Sequence, residues 1–386
     1  MIYTIPHYYK RFRCIAGECP DTCCAGWEIA IDPKSLKKYR QTEGSLGNRL
    51  HNSIRWDRGV FYQYHHRCAF LNEDNLCDLQ AEGGEGLLCR TCRQYPRHVE
   101  EFEGAREISL SLSCIRAAQI ILGCQEPVRF LTKEKEGRKE DFGNFDFFLY
   151  TKLEDSREQI LNILQNRSLD LKLRMMMALS LVHDIQRRIN QERLFEVDDL
   201  LKRYGRQGAA ARFERQVDGM AFGTERRFAA MDKMVEILGE MEVLNPSWKP
   251  ELKKLRQAIY GGGPGRYGAL REEFDRWLEE GSGPDWDVCG EQLLVYFVFT
   301  YYCGAVYDLR AYTRMKFAVC GTLMIQELAF GRWLCSGKKL TFEDFADVAH
   351  CFSREVEHSD LNKNLLMDRL EEQWDYRMET LAGIIL

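Results

Sequence analysis

The 386-residue sequence lacks the features that mark secreted and membrane proteins. Its first residues, MIYTIPHYYKRF, contain no basic segment followed by an apolar run, so we expect no secretory signal peptide. The longest run without a charged residue, LLVYFVFTYYCGAVY from Leu293 to Tyr307, is shorter than the ~20 residues that cross a bilayer. We therefore expect a cytoplasmic protein with no membrane partner.

An excess of positive charge is also missing, because 54 Lys and Arg residues stand against 59 Asp and Glu residues. The net charge of −5 is atypical of a nucleic-acid-binding protein, so we expect no nucleic-acid partner. The sequence contains no Gly-x-Gly-x-x-Gly after a predicted strand, no Walker loop and no His-Glu-x-x-His. The run YGGGPGRYG at 260–268 follows no strand and contains a proline, which is typical of a break between helices.

Cysteine is abundant and unevenly placed, since ten of the 15 cysteines lie before residue 125. Structural disulfides are rare in a reducing cytosol, where dense cysteine clusters usually bind metals or take part in chemistry. The five later cysteines are scattered, four of them in apolar helical surroundings, and are interpreted as small core residues. The candidate metal ligands are Cys14, Cys19, Cys23, Cys24, Cys68, Cys77, Cys89 and Cys92.

The spacing of these cysteines does not separate zinc from an iron–sulfur cluster, because thiolates suit both. Successive side chains point apart, so Cys23 and Cys24 are expected to serve two different sites, or one of them is no ligand. The nearby His65 and His66 are possible zinc ligands, whereas the proline in CRTCRQYP is compatible with a cluster. A radical enzyme would need a third cysteine at the position of Gly26, which argues against that chemistry.

The predicted fold class is mainly α. Residues 1–125 are predicted to form an irregular cysteine-rich metal or cluster module with a few short strands, and residues 126–386 an all-helical body. GWEIAID predicts a strand, DPKSLKKYRQ a helix that starts at Pro33, and HVEEFEGAREISLSL two strands around Gly104. Farther along, SLDLKLRMMM predicts a helix capped by Ser168, and TFEDFADVAHCFSREV one that begins with a capping box at Thr341.

Several stretches together resemble the flagellin lysine-N-methylase family of bacteria. They are PHYYKRFRCIAGECPDTCCAGWEIAID, CRTCRQYPR with the following ISLSLSC, and SREVEHS near the C-terminal end. The first half also resembles a broader group of zinc- or iron-chelating cysteine-cluster domains. The resemblance covers about residues 1–125 and 290–360.

The resemblance implies an enzyme that transfers a methyl group from S-adenosylmethionine to lysines of flagellin. It also implies a [4Fe–4S] cluster bound by the eight cysteines, with zinc as the alternative, and Cys114 is a possible ninth member. The matching SREVEHS segment supplies the candidate catalytic residues Arg354, Glu355, Glu357 and His358. A solvated, salt-bridged helix end is the alternative interpretation of that segment.

Aromatic residues crowd the segment from Tyr296 to Tyr312. Such rings attract a sulfonium or ammonium group through cation–π contact, and Tyr302 and Tyr307 are the candidate contacts to the methyl donor. Packing in the core is the alternative for most of these rings. A non-catalytic zinc-binding adaptor or structural protein remains the alternative function, and an electron-transfer role for the cysteine module is a further one.

Overall fold

The computed structural model describes residues 1–137, 140–372 and 376–386, and most of them are helical. Many helices begin with an Asp or Thr side chain that accepts a backbone hydrogen bond, as at Asp32, Asp146, Asp285 and Thr341. The helices are α1 (Pro33–Arg40), α2 (Gly44–Asn52), α3 (Asp78–Gly83), α4 (Arg90–Gln94), α5 (Ile115–Leu122), α6 (Phe147–Leu164), α7 (Leu171–Asn190), α8 (Val197–Tyr204), α9 (Ala209–Val217), α10 (Thr224–Glu240), α11 (Trp248–Tyr260), α12 (Gly263–Glu279), α13 (Trp286–Tyr301), α14 (Ala305–Asp308), α15 (Ala311–Cys335), α16 (Phe342–Val356), α17 (Asp360–Glu372) and α18 (Met378–Ile385).

A four-stranded sheet with the order β6-β7-β1-β8 packs against the helices. Strand β1 pairs in parallel with β7 and antiparallel with β8, whereas β6 and β7 form an antiparallel hairpin. Two small hairpins, β2–β3 and β4–β5, lie within the cysteine-rich segment. The strands are β1 (Ile2–Pro6), β2 (Ile54–Arg55), β3 (Val60–Phe61), β4 (Gln63–Tyr64), β5 (Arg67–Cys68), β6 (Arg97–Phe102), β7 (Ala105–Leu110) and β8 (Phe130–Glu134).

Two hydrophobic cores hold these elements together. The large core is built around α13 and α15, whose side chains are apolar on all sides and are almost all buried. It also includes residues of the four-stranded sheet and of α5. The small core is confined to residues 29–92 and includes Ile29, Tyr39, Phe61 and Phe70. The cysteine-rich segment therefore has a core of its own, and the rest of residues 1–125 packs with the helices.

Several predicted elements are confirmed. The helix with Pro33 in its first turn, the hairpin around Gly104 and the capping box of Thr341 and Asp344 are present. Gly104 has a φ of +76°, a conformation that suits glycine at a tight turn. The predicted break at 260–268 is confined to the two residues between α11 and α12.

Three predictions about local structure are wrong. GWEIAID forms only one isolated bridge, at Ala30, and the cap of α7 is Asp170, which accepts from the Lys172 amide, instead of Ser168. The body after residue 125 is not all-helical, because β8 lies within it and pairs with β1. None of the helices in the described part of the chain is long and apolar enough to cross a membrane.

Candidate functional site

The end of α16 carries the SREVEHS residues, and they are buried instead of solvated. The alternative of a solvated helix end is therefore wrong for this segment. Arg354 is 5% exposed and Glu355 is 1% exposed. Burying a charged side chain costs free energy unless a partner compensates the charge. The partners of Arg354 and Glu355 therefore show which parts of the molecule these side chains hold together.

Arg354 joins α16 to the cysteine-rich loop. Its guanidinium lies 2.7 Å from the Asp21 carboxylate and donates to the carbonyl oxygens of Thr22 and Ala25. His350, one turn earlier on α16, places its Nε2 2.9 Å from the same carboxylate. Burial alone would raise the pKa of Asp21, but the hydrogen bond from His350 and the charge of Arg354 lower it. The loop between Cys19 and Cys24 is thus fastened to the helical body by a buried ionic cluster.

Glu355 holds a second loop against the same helix. Its carboxylate accepts from the backbone amides of Leu244, at 3.0 Å, and Asn245, at 2.7 Å. Burial raises the pKa of Glu355, whereas these two hydrogen bonds oppose that shift. Because both carboxylate oxygens are engaged, Glu355 positions the 242–247 loop in this arrangement.

Glu357 and His358 lie beside aromatic side chains at the end of α16. The hydroxyl of Tyr296 donates to Glu357 at 2.8 Å, and that of Tyr301 donates to the same oxygen at 2.5 Å. Burial raises the pKa of Glu357, and the tyrosine hydrogen bonds lower it. The other carboxylate oxygen of Glu357 has no hydrogen-bond partner within the described residues.

The imidazole of His358 packs edge-on against the rings of Trp27, at 4.8 Å, and Tyr95, at 5.5 Å. Its Nδ1 lies 3.4 Å from the hydroxyl oxygen of Ser113. Burial and the charge of Arg354 lower the pKa of His358 to about 4. The ring is therefore neutral at physiological pH and is a weaker base than an ordinary histidine.

Two cavities lie on the two sides of the 242–247 loop. The larger has a volume of about 750 Å³ and is lined by Asp21, Trp248 and Arg354, among other residues. The smaller has a volume of about 500 Å³ and is lined by Trp27 and His358, among others. Both volumes fall in the ~300–1,000 Å³ range of small-molecule sites.

Five of the predicted metal ligands gather at the small core, and we call them the module thiols. Cys89 and Cys92 share a sulfur–sulfur hydrogen bond of 3.5 Å, which lowers the pKa of the Cys89 thiol to about 7. The amide of Cys68 donates to the carbonyl of Cys24 at 2.8 Å. Burial raises the pKa of Cys68 to about 12, and nearby thiols add to the shift. The module thiols are Cys24, Cys68, Cys77, Cys89 and Cys92.

The remaining N-terminal ligands lie on the other side of the Cys23–Cys24 pair, and we call them the junction thiols. Burial raises the pKa of Cys114 to about 11, and the neighbouring thiols of Cys19 and Cys14 add to the shift. Cys19 and Cys114 pack against the large core. The junction thiols are Cys14, Cys19, Cys23 and Cys114. The Cys23 and Cys24 thiols hydrogen-bond to each other and so connect the two groups, and the expectation that they serve different sites stays a prediction.

The donor set of the module thiols fits an iron–sulfur cluster. Within the described residues, no three Cys, His, Asp or Glu side chains converge closely enough to hold a single metal ion. A four-iron cluster spreads its thiolate ligands over a larger body than one ion does, and it takes thiolates almost exclusively. Five neighbouring thiols, two of them with a lowered pKa, supply that chemistry. The identity of the ligands remains a prediction.

The two tyrosines predicted to contact the methyl donor have different surroundings. Tyr302 is buried, and its hydroxyl is 3.0 Å from that of Ser156. Tyr307 is 55% exposed, and its hydroxyl donates to the carbonyl of Glu101. Their role in binding the donor remains a prediction, with core packing as the simpler account of Tyr302.

Sequence reasoning missed the partners that assemble this site. Asp21 and His350 meet across 329 positions of the chain, and Trp27 contacts His358 from the cysteine-rich loop. One signal was available for His350, because it lies four residues before Arg354 and therefore on the same face of a helix. No pattern in the sequence pairs either residue with Asp21.

Residues 157–384 match the FliB lysine N-methylase C-terminal domain family. This match covers more than half of the chain, so the chain belongs to that family and the predicted family membership is confirmed. The shared segment includes the buried end of α16. Comparison with solved structures gives no match.

Curated relatives agree with this assignment. The chain is 28% identical over 154 residues to the lysine-N-methylase of Salmonella typhimurium strain LT2, covering 38% of each chain. It is 27% identical over 154 residues to the lysine-N-methylase of Salmonella choleraesuis, again 38% of each chain. It is 29% identical over 128 residues, 31% of its length, to 76% of the flagellar biosynthetic protein FliU of Salmonella muenchen. The match thus spans well under half the length of the two methylases.

Proposed function

We propose that the protein is an S-adenosylmethionine-dependent lysine N-methyltransferase that acts on flagellin and carries a [4Fe–4S] cluster. The observation that supports this most is the contact between α16 and the cysteine-rich loop, beside a cavity of about 750 Å³. Helix α16 lies within the segment that matches the family. The names of the relatives support lysine as the acceptor and a flagellar protein as the substrate.

The larger cavity is the proposed site of the methyl donor. S-adenosylmethionine carries an ammonium, a carboxylate and a sulfonium, together with an adenine ring. Asp21 and Glu251 line the cavity as partners for the cationic groups, and Arg332 is a partner for the carboxylate. Trp248 offers an aromatic surface for the adenine ring or the sulfonium.

The acceptor lysine must lose a proton before its amine attacks the methyl group. Glu357, at the end of α16, is the main proposed acceptor of that proton, because burial raises the pKa of its carboxylate; His358, with its lowered pKa, is the weaker candidate. Arg354 and Glu355 are positioning residues, because the structure commits them to the cysteine-rich loop and the 242–247 loop. Methyl transfer is an in-line displacement, so the fixed placement of these loops supplies much of the acceleration.

The module thiols are the proposed ligands of the cluster. When bound, a four-iron cluster supplies one-electron chemistry and ties the loops of the small core together. Cys89 is the N-cap of the short helix α4 and Cys92 lies in its first turn, a two-residue gap that lets both thiols face one centre.

Mass spectrometry tests the activity. Purified protein with its cluster loaded is incubated with S-adenosylmethionine and flagellin, and we expect mass increments of one methyl group on flagellin lysines. Glu357→Gln should lower kcat by about 10²-fold or more if the carboxylate takes the proton. The matched control is Glu154→Gln, an exposed glutamate on α6. Unmodified flagellin after incubation with fully loaded protein, together with no binding of the methyl donor, would contradict the proposal.

A non-catalytic zinc-binding protein is the second candidate, because a thiol-only donor set also suits structural zinc. The colour of protein purified without oxygen separates the two. A cluster gives brown protein with a visible absorption band, whereas zinc gives colourless protein. Colourless, fully folded protein with stoichiometric zinc would favour this second candidate.

A further inference from the structure

A third cavity, of about 820 Å³, opens far along the chain from the cysteine-rich loop, and we call it the acidic cleft. Its walls come from α12, from the starts of α7 and α13, and from the Leu323–Gln326 stretch of α15. The proposed mechanism uses none of its residues.

The rim of the acidic cleft carries unpaired negative charge. Five exposed carboxylates on it have no ion-pair partner among the described residues, although Asp170 and Asp285 also cap helices. Burial and the charge of Asp170 raise the pKa of Asp287, which reflects the crowding of like charges. The five are Asp170, Glu272, Glu279, Asp285 and Asp287.

The cationic side chains in the acidic cleft are already engaged. Arg271 is buried between Asp275 and Glu327, so that this triad has a net negative charge. Lys172 donates to the carbonyl of Leu386, and Arg227 donates to that of Ile384. The cleft as a whole therefore has an excess of negative charge, which favours binding of a cationic partner.

At the bottom of the acidic cleft, the side chain of Gln326 is an independent indication of a ligand site. Gln326 is only 6% exposed and lines the cleft, yet its amide forms no hydrogen bond with any described residue. Buried polar side chains are nearly always hydrogen-bonded, so an amide that faces a cavity without a partner is typical of a binding site. The rings of Tyr267 and Trp286 also line the cleft and offer surfaces for a cation and its aliphatic stem.

We propose that the acidic cleft binds lysine side chains of the acceptor protein and thereby docks it. The inference rests on the proposed methyltransferase function, because a lysine methyltransferase needs an acceptor rich in exposed lysines. The long stem of lysine lets its ammonium pass the carboxylate rim and reach the Gln326 carbonyl oxygen. Docking at a distance from the reacting amine brings the acceptor surface to the enzyme and sets which lysines are presented.

Peptide binding to the full chain tests the docking without any methyl transfer. A fluorescent lysine-rich peptide is titrated against wild-type protein, Glu272→Gln/Glu279→Gln and the control Glu158→Gln/Glu214→Gln. The control replaces two glutamates that are also exposed and unpaired, on α6 and α9. We expect the cleft variant to bind about three- to tenfold more weakly, as for the loss of two exposed charge pairs, and the control to bind like wild type. Acetylation of the peptide lysines should abolish binding.

A second variant tests the floor. Gln326→Leu removes a buried amide without a partner, so the melting temperature should stay constant or rise while peptide binding weakens. A purely structural role for Gln326 would instead lower the melting temperature and leave binding unchanged.

Four outcomes decide between the docking inference and the proposed function. Equal binding by wild type and the cleft variant, or equal weakening in the control, overturns the docking inference. Normal methylation with an unchanged KM for flagellin in the cleft variant also overturns it and leaves the proposed function standing. Glutamate-dependent peptide binding by a protein that methylates nothing supports the cationic site and refutes the proposed function.

Discussion

At the scale of single residues, Arg354 is the side chain on which the junction depends. It pairs with Asp21 and donates to two carbonyl oxygens of the cysteine-rich loop. Little solvent reaches those bonds, because Arg354 is nearly fully buried. Its loss therefore leaves a half-buried carboxylate with His350 as its remaining hydrogen-bond partner.

Arg354→Gln should lower the free energy of unfolding by about 3–5 kcal/mol, the usual cost of breaking a buried ion pair. Urea denaturation followed by circular dichroism measures the change. Arg276→Gln, on the exposed face of α12, serves as the control and should be nearly neutral. A loss below 1 kcal/mol would show that Asp21 does not need this guanidinium.

His358 predicts a pH dependence of stability. Its pKa falls from the usual 6.5 to about 4 in the folded protein, so the unfolded chain binds the extra proton more readily. This group therefore lowers stability as the pH falls from about 6.5 to about 4, by a total of about 3 kcal/mol. In His358→Asn, stability should depend less on pH in that window. Unfolding free energies of both proteins at several pH values measure the difference, and parallel curves would contradict the prediction.

At the scale of secondary-structure elements, the sequence predicts those that are stabilised locally. Thr341 and Asp344 predict the start of α16, because a capping box depends only on two residues three positions apart. Pro33 likewise predicts the start of α1, where it occupies the first helical position. Strands β1 and β8 were not predicted, since each is defined by pairing with a strand more than 100 residues away. The contact between Asp21 and His350 could not be predicted for the same reason, because it depends on packing between distant segments of the chain.

The contribution of the α16 capping box to stability can be measured by mutation. Thr341→Ala should lower the free energy of unfolding by about 1 kcal/mol, because the Asp344 amide loses its acceptor. Thermal denaturation measures the change. Thr151→Ala, in the exposed interior of α6, is the control and should be neutral or slightly stabilising, since alanine favours helix. An equal effect of both changes would show that the box contributes nothing specific.

At the scale of the whole molecule, the two cores divide the chain into parts with different sources of stability. The large core rests on extensive apolar burial around α13 and α15, whereas the small core is limited to residues 29–92 and surrounds the module thiols. Small cores of this kind are usually stabilised by cross-links such as disulfides or a metal centre, and the proposed cluster would have that role here.

Removing two module thiols should therefore loosen one part of the molecule alone. In Cys89→Ser/Cys92→Ser, amide hydrogen exchange should become faster across residues 29–92 and stay slow in α13 and α15. Cys335→Ser, at the end of α15, is the control and should leave exchange in the small core unchanged. Uniformly faster exchange throughout the variant would mean that the two cores unfold as one unit.

The position of β1 beside β7 has a consequence for chain entropy. The chain leaves the sheet after Pro6, passes through the whole cysteine-rich segment and returns to the same sheet at Arg97. The segment is thus a long loop whose two ends are both held in the sheet. Pairing of the strands offsets the entropic cost of closing this loop, and that cost grows only as the logarithm of loop length. Loss of the proposed cluster would leave this segment as a long loop whose two ends stay bound to the sheet. We expect such a loop to refold without an encounter in solution, because its ends do not separate.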